Sequence, residues 1–235
     1  MSSKRQQYLA GMRAGVPIVF GFIPVGIAYA LMARQAGLNV PETVFMSVSV
    51  FAGASQMMAA GMIGKGAGFL TIVIATFIMN LRHVIMSTCV FNRMQPAPLG
   101  LRLVAAFGVT DESFGIFSIL EEDRCSLAFF LGMITVTYSS WVAGTALGAV
   151  FSGFLPAIVT ASLSVSLYAL FIGILAPNLG GNVRLVLLVI LAGGMNAALS
   201  RLIDSNWSLI VSTLLSAFCG LFFVDMEEKE EGHEN

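Results

Sequence analysis

Long apolar runs alternate with short polar or Gly/Pro-bearing breaks along the whole chain. In order, the runs Ala14 to Ala33, Val44 to Ile63, Gly68 to Val90, Leu101 to Leu120, Leu127 to Val150, Pro156 to Ala176, Leu185 to Leu199 and Trp207 to Val224 approach the roughly 20 residues that cross about 30 Å of hydrocarbon. This pattern predicts an all-α polytopic membrane protein, a bundle of about eight transmembrane helices, some kinked or broken. Residues 1–13 read as a cytoplasmic N-terminal segment, 14–224 as a single transmembrane transporter domain and 225–235 as an acidic cytoplasmic tail. The first run is too long for the h-region of a cleavable signal and reads as a retained helix.

Within the runs, local residues predict irregularities. Pro24, inside Gly21-Phe22-Ile23-Pro24-Val25-Gly26, removes an intrahelical hydrogen bond and predicts a kink or break. Gly37 and Asn39 suit a helix C-cap, and Pro41 suits the first turn of the next helix. In the second run, Phe51-Ala52-Gly53-Ala54-Ser55-Gln56 combines small residues, which allow close packing or local unwinding, with a glutamine at membrane depth. Gln56 favours a cavity-lining segment. On the fourth run Gly108, Asp111, Gly115 and Ser118 share one helical face, small and polar, which another backbone can approach. Gly144-x-x-x-Gly148 suits the packing of two helices of one bundle, and Gly193-Gly194 breaks the short seventh span.

Composition settles the class: 57% hydrophobic and 11% charged residues, with mean hydropathy +0.88, describe a chain made for lipid. The net charge of −1 says little, because the placement of charges sets orientation. With eight crossings and both ends in the cytoplasm, inner segments hold Lys4, Arg5, Arg13, Lys65, Arg124, Arg184 and Lys229 against Arg34, Arg93, Arg102 and Arg201 outside, in line with the positive-inside bias. Cys89, Cys125 and Cys219 have neither disulfide-framework nor zinc-ligand spacing. Gly64-Lys65-Gly66-Ala67-Gly68 resembles a phosphate loop only superficially, since Ala59 stands at its first glycine and Gly66 at its Ser/Thr. Nucleotide and nucleic-acid binding are therefore not expected, nor is any metal or other cofactor.

The candidate chemistry lies at membrane depth. Met79-Asn80-Leu81-Arg82-His83 sits in mid-run, where an arginine facing lipid costs about 3 kcal/mol even on a lenient scale. Asn80, His83 and Ser87 form one polar stripe, and Thr110-Asp111-Glu112 lies at the centre of the fourth run. Arg82, Asp111 and Glu112 together would cost on the order of 9 kcal/mol against lipid. They are expected to face inward, in contact directly or through ligand or water.

Four motifs carry a resemblance. Through Gly21-x-x-Pro24-x-Gly26-x-Ala28-Tyr29, Ser49-x-Phe51-Ala52-Gly53-Ala54-Ser55-Gln56, Asn80-Leu81-Arg82-His83 and Thr110-Asp111-Glu112, the first half resembles the AzlC family, the large subunit of two-component branched-chain amino-acid exporters. Met86 stands where that family tends to carry an aromatic residue, and the second half matches in hydropathy and length alone. The resemblance implies export of branched-chain and similar hydrophobic amino acids across a bacterial inner membrane, driven by an ion gradient, with a small AzlD-like membrane protein as partner.

Residues and resemblance converge on a transporter rather than an enzyme. A zwitterion entering a low-dielectric cavity needs one partner of each sign, roles that suit Arg82 for the carboxylate and Asp111 for the ammonium. Pro24, Gly53, Ala54, Ser55, Gln56 and Asn80 complete the expected substrate site, Phe22, Phe51 and Met86 line its apolar side, and His83 or Glu112 carries a coupling proton. A channel-like permease for small polar solutes is the alternative. An intramembrane enzyme would need a nucleophile–base or metal set that these residues do not form.

Overall fold

The computed structural model describes residues 3–94, 96–154, 172, 179, 183–203 and 205–223. Among these residues every regular element is helical. The chain divides into two compact units, Met1–Ile172 and Gly173–Asn235. The expected sixth span, apart from Ile172, and the acidic tail lie outside the described residues.

The first unit is built on two long helices, α1 (Lys4–Gln35) and α7 (Leu127–Phe151). Helix α1 starts at a capping box in which the Ser3 hydroxyl accepts from the Gln6 N–H and the Gln6 side chain accepts from the Ser3 N–H, satisfying donors that a helix start leaves orphaned. Its 32 residues extend about 48 Å at 1.5 Å per residue, so it outruns the hydrocarbon. Of the kink or break expected at Pro24, the break does not occur: the helix is continuous through Pro17 and Pro24. Packing overrides the lost hydrogen bond: a Cβ on Gly26 would meet the Trp141 carbonyl oxygen at 3.0 Å, and α7 reciprocates where a Cβ on Gly144 would meet the Ile23 oxygen at 2.6 Å. Gly148 likewise faces Ile27 and Ala30 of α1, so the Gly-x-x-x-Gly pair packs helices within this chain. These contacts clamp α1 along α7 on both sides of the proline.

Between these two helices in sequence come α2 (Val40–Ser49), α3 (Gly53–Gly64), α4 (Phe69–Arg93), α5 (Leu99–Phe107) and α6 (Asp111–Ser118). Gly37 follows the α1 C-cap with φ of 96°, a left-handed turn that glycine adopts without strain. Asn39 does not join that cap; its side chain accepts from the Glu42 N–H and opens α2, the position where a short polar acceptor is worth most. The second expected span is thus two half-helices, 10 and 12 residues long, which together make about 33 Å of helix. The fourth is likewise split into α5 and α6. Consequently Gly108 and Asp111 do not share a helical face, because the period of 3.6 holds only along an unbroken helix. Gly108 instead lies against the Ile134 side chain, and Gly115 has open space beside it.

Helices α1, α4 and α7 are long and apolar enough to cross a membrane. Phe69, Phe77, Val84 and Ile85 of α4 are exposed, as side chains that meet lipid should be.

In the second unit, α8 (Val183–Leu199) packs on α9 (Ser205–Phe223). Gly193-Gly194 does not break α8, since each glycine keeps its N–H and costs only about 1 kcal/mol in a helix. Asn196 is taken up by α9: the Ser208 hydroxyl lies 2.9 Å from both its backbone oxygen and its Oδ1.

Candidate substrate site at two helix breaks

Two interruptions create the site. After Ser49 the backbone leaves the helix at Val50, Phe51 and Ala52 before α3 begins, which frees carbonyls at membrane depth. One of them finds a partner from α7: the Tyr138 hydroxyl donates to the Val48 oxygen at 2.7 Å. Such replacement partners are what allow broken backbone away from water. No side chain caps the start of α3, so its first N–H groups keep the positive end of a helix dipole uncovered.

The second break has its own chemistry. Gly108 closes α5, and Thr110 opens α6 through a capping box with Ser113; the Ser113 hydroxyl also donates to the Gly108 and Thr110 carbonyls, at 3.2 and 3.1 Å. Asp111 and Glu112 therefore occupy the first turn of α6, where a helix dipole favours negative charge. The signal lay in the sequence as a stop followed by a start, glycine and then Thr-Asp-Glu-Ser, inside an apolar run.

Helix α4 holds α6 at both ends. Arg82 Nη1 lies 2.9 Å from Asp111 Oδ2 and 3.1 Å from Oδ1. Eleven positions further along α4, the Arg93 guanidinium donates to the Ser118 and Leu120 carbonyls, satisfying acceptors that the end of α6 exposes. Arg93 read from sequence as a loop charge; here it is a cap supplied from another helix.

These elements line a small, partly open cavity of about 30 Å³. Phe22 and Val25 reach it from α1, Phe51 to Ala54 from the first break, Arg82 and His83 from α4, Thr110 to Glu112 from the second break, and Trp141 from α7. Of the residues expected to bind substrate, Gly53, Ala54, Arg82 and Asp111 are on its wall, together with both proton-coupling candidates, His83 and Glu112. Pro24, Ser55, Gln56 and Asn80 are not on it. Gln56 is buried and spent on structure, donating to Ser47 Oγ at 3.0 Å and accepting from Trp141 Nε1 at 3.1 Å. Ser47 in turn contacts Thr145 Oγ1 at 2.8 Å. Asn80 donates to Ser55 Oγ at 3.1 Å, tying α4 to α3 just behind the cavity. Met86 lies in a different apolar cluster from Phe22 and Phe51.

On the cavity wall Arg82 Nε, and behind it Asn80 Oδ1, are buried and make no hydrogen bond among the described residues. An unsatisfied buried donor on a charged group costs more than a neutral one. The Arg82 fork thus spends one nitrogen on Asp111 and keeps Nε in reserve. Trp141 is the wall residue that sequence reasoning did not single out; only its place opposite the first break makes it one.

The family model described as AzlC protein matches residues 17–155, a stretch that contains every residue of the cavity wall. The chain belongs to the AzlC family. It is 30% identical over 225 residues to the inner membrane protein YgaZ of Escherichia coli, covering 91% of this chain and 87% of that protein. Identity to the branched-chain amino acid transport protein AzlC of Bacillus subtilis is 28% over 178 residues, 72% of this chain and 68% of that one. A protein of Archaeoglobus fulgidus named as an uncharacterized membrane protein is 33% identical over 183 residues, 77% of this chain and 80% of its own length. No solved structure matches the chain. As an AzlC-family member, the chain is a membrane protein of a transport family.

Proposed function

We propose that this protein exports branched-chain and similar hydrophobic amino acids across a bacterial inner membrane, drawing on an ion gradient and working with a small AzlD-like membrane subunit. The observation that carries this reading is the half-used guanidinium of Arg82: paired to Asp111 through one nitrogen, with a buried Nε unpaired among the described residues, beside a cavity between two broken helices. A carboxylate accepts two parallel hydrogen bonds from such a fork. The uncapped start of α3 adds N–H donors and a favourable dipole for the same group. Asp111 is the partner for the substrate ammonium, and Phe22, Phe51 and Val25 supply apolar contact for its side chain.

The volume of the cavity, about 30 Å³, is too small for an amino acid, since small-molecule sites run to hundreds of Å³. In this reading the chain stands in a closed state in which Arg82 and Asp111 satisfy each other. Substrate inserts between them, exchanging one carboxylate for another at Arg82, and the two non-helical segments provide the hinges for opening. Glu112 and His83, on the same wall, are the groups through which a coupling proton passes. The similarity to the branched-chain amino acid transport protein of B. subtilis supports the substrate class.

The test is counterflow of radiolabelled leucine in proteoliposomes holding the full chain, with and without a small AzlD-like subunit. Saturable counterflow that unlabelled valine and isoleucine suppress is the expected result. Flux that neither saturates nor exchanges would identify a channel and overturn the transporter reading.

A further inference from the structure

The walls of the cavity differ in how firmly they are built. Phe51 to Ala54 and Thr110 belong to non-helical segments or their edges, whereas Phe22 and Trp141 stand on α1 and α7, the two helices clamped backbone to backbone through Gly26, Gly144 and Gly148. Trp141 is itself held on several sides. Its Nε1 donates to Gln56 Oε1 at 3.1 Å, its ring stacks on Tyr29 at 6.1 Å between centroids, and Phe22 meets it edge-on at 5.6 Å. The remaining edge points at the first break: a Cβ added to Gly53 would fall 2.7 Å from Trp141 Cη2. The indole is 2% exposed and still lines the cavity, so the surface it keeps free is the one that faces the site.

We propose that Trp141 is the specificity-determining residue of the cavity, its fixed indole limiting the substrate side chain to a short branched aliphatic one and turning away aromatic side chains. This rests on the reading of the cavity as an amino-acid site. A hinged wall yields to a larger ligand, but a wall on the rigid helix pair does not, since a close-packed core resists insertion of additional carbon. Gly53 is the complementary element, because its missing side chain leaves room beside the indole edge. One methylene in an apolar pocket is worth roughly tenfold or more in discrimination, so removing part of the indole should move selectivity measurably.

The experiment measures, in proteoliposomes of the full chain with its small subunit, the concentrations of unlabelled valine, leucine and phenylalanine that halve leucine counterflow. Trp141→Phe should lower the phenylalanine-to-leucine ratio of these concentrations at least tenfold. Gly53→Ala, which places a methyl carbon on the cavity wall against the indole edge, takes room from the cavity and should act in the opposite sense, penalising leucine more than valine. If both variants leave the ratios within twofold of the native protein, or if Trp141→Phe is lost to misfolding and Gly53→Ala leaves them unmoved, the assignment of Trp141 is overturned. Should Arg82→Lys abolish leucine counterflow while those ratios stand still, the amino-acid site survives and only the role of Trp141 falls. If the native protein shows no leucine counterflow, the site reading fails and this inference with it.

Discussion

Arg82 meets Asp111 through a single nitrogen: Nη1 lies within 3.1 Å of both carboxylate oxygens, while Nε is buried without a partner among the described residues. A pair built for stability alone would bring the fork and the carboxylate into register, two bonds side by side. The observed pair balances charge but leaves the geometry of the fork unspent.

Arg82→Lys follows directly. An ammonium can replace the one nitrogen that touches Asp111, so the folded yield should approach that of the native protein, but it cannot offer a planar fork. Leucine affinity should fall at least tenfold, read by binding or counterflow on purified protein. Native transport by this variant would remove the carboxylate role from Arg82.

Asp111→Asn separates binding from structure. The amide keeps the shape and loses the charge, and a desolvated charge partner is typically worth about 2–5 kcal/mol. If Asp111 receives the substrate ammonium, affinity weakens at least tenfold while the fold persists with Glu112 close by. Lower melting temperature with native affinity in whatever folds would instead make Asp111 a structural counter-ion.

Arg93 should matter for stability rather than selectivity. Arg93→Gln withdraws the charged donors from the Ser118 and Leu120 carbonyls, a loss of about 2 kcal/mol for charge-assisted bonds, visible as a lower melting temperature in detergent. Valine-to-leucine selectivity should hold within twofold in the folded fraction. Unchanged melting would mean that other groups cap α6.

The α1–α7 clamp makes a steric prediction. A Cβ at Gly132 would collide with the Tyr8 carbonyl oxygen, so Gly132→Ala should destabilise by about 3 kcal/mol, in the range of core overpacking, and reduce the yield of monodisperse protein. Gly115→Ala, with nothing within 4 Å of the added carbon, should be neutral or slightly stabilising because alanine favours the helix. Equal yields from the two variants would contradict the packing.

Much of this protein is written locally in its residues. A membrane helix satisfies its own backbone, so hydropathy and length along the chain are enough to predict an all-helical membrane fold, and the cost of charge in hydrocarbon is enough to require that Arg82 and Asp111 find each other. What the tertiary structure decided depends on which neighbour arrives. Pro24 stays helical because α7 grips the helix on both sides of it. The run around Phe51 unwinds where Tyr138 of α7 can take a freed carbonyl, and Gln56 turns away from the cavity because Trp141 and Ser47 use its amide. Arg93 becomes a helix cap, and Trp141 a cavity wall, only once α4 lies along α6 and α7 along α1. A hydrogen bond between distant helices leaves no periodic trace in sequence, since donor and acceptor meet through packing of the whole unit.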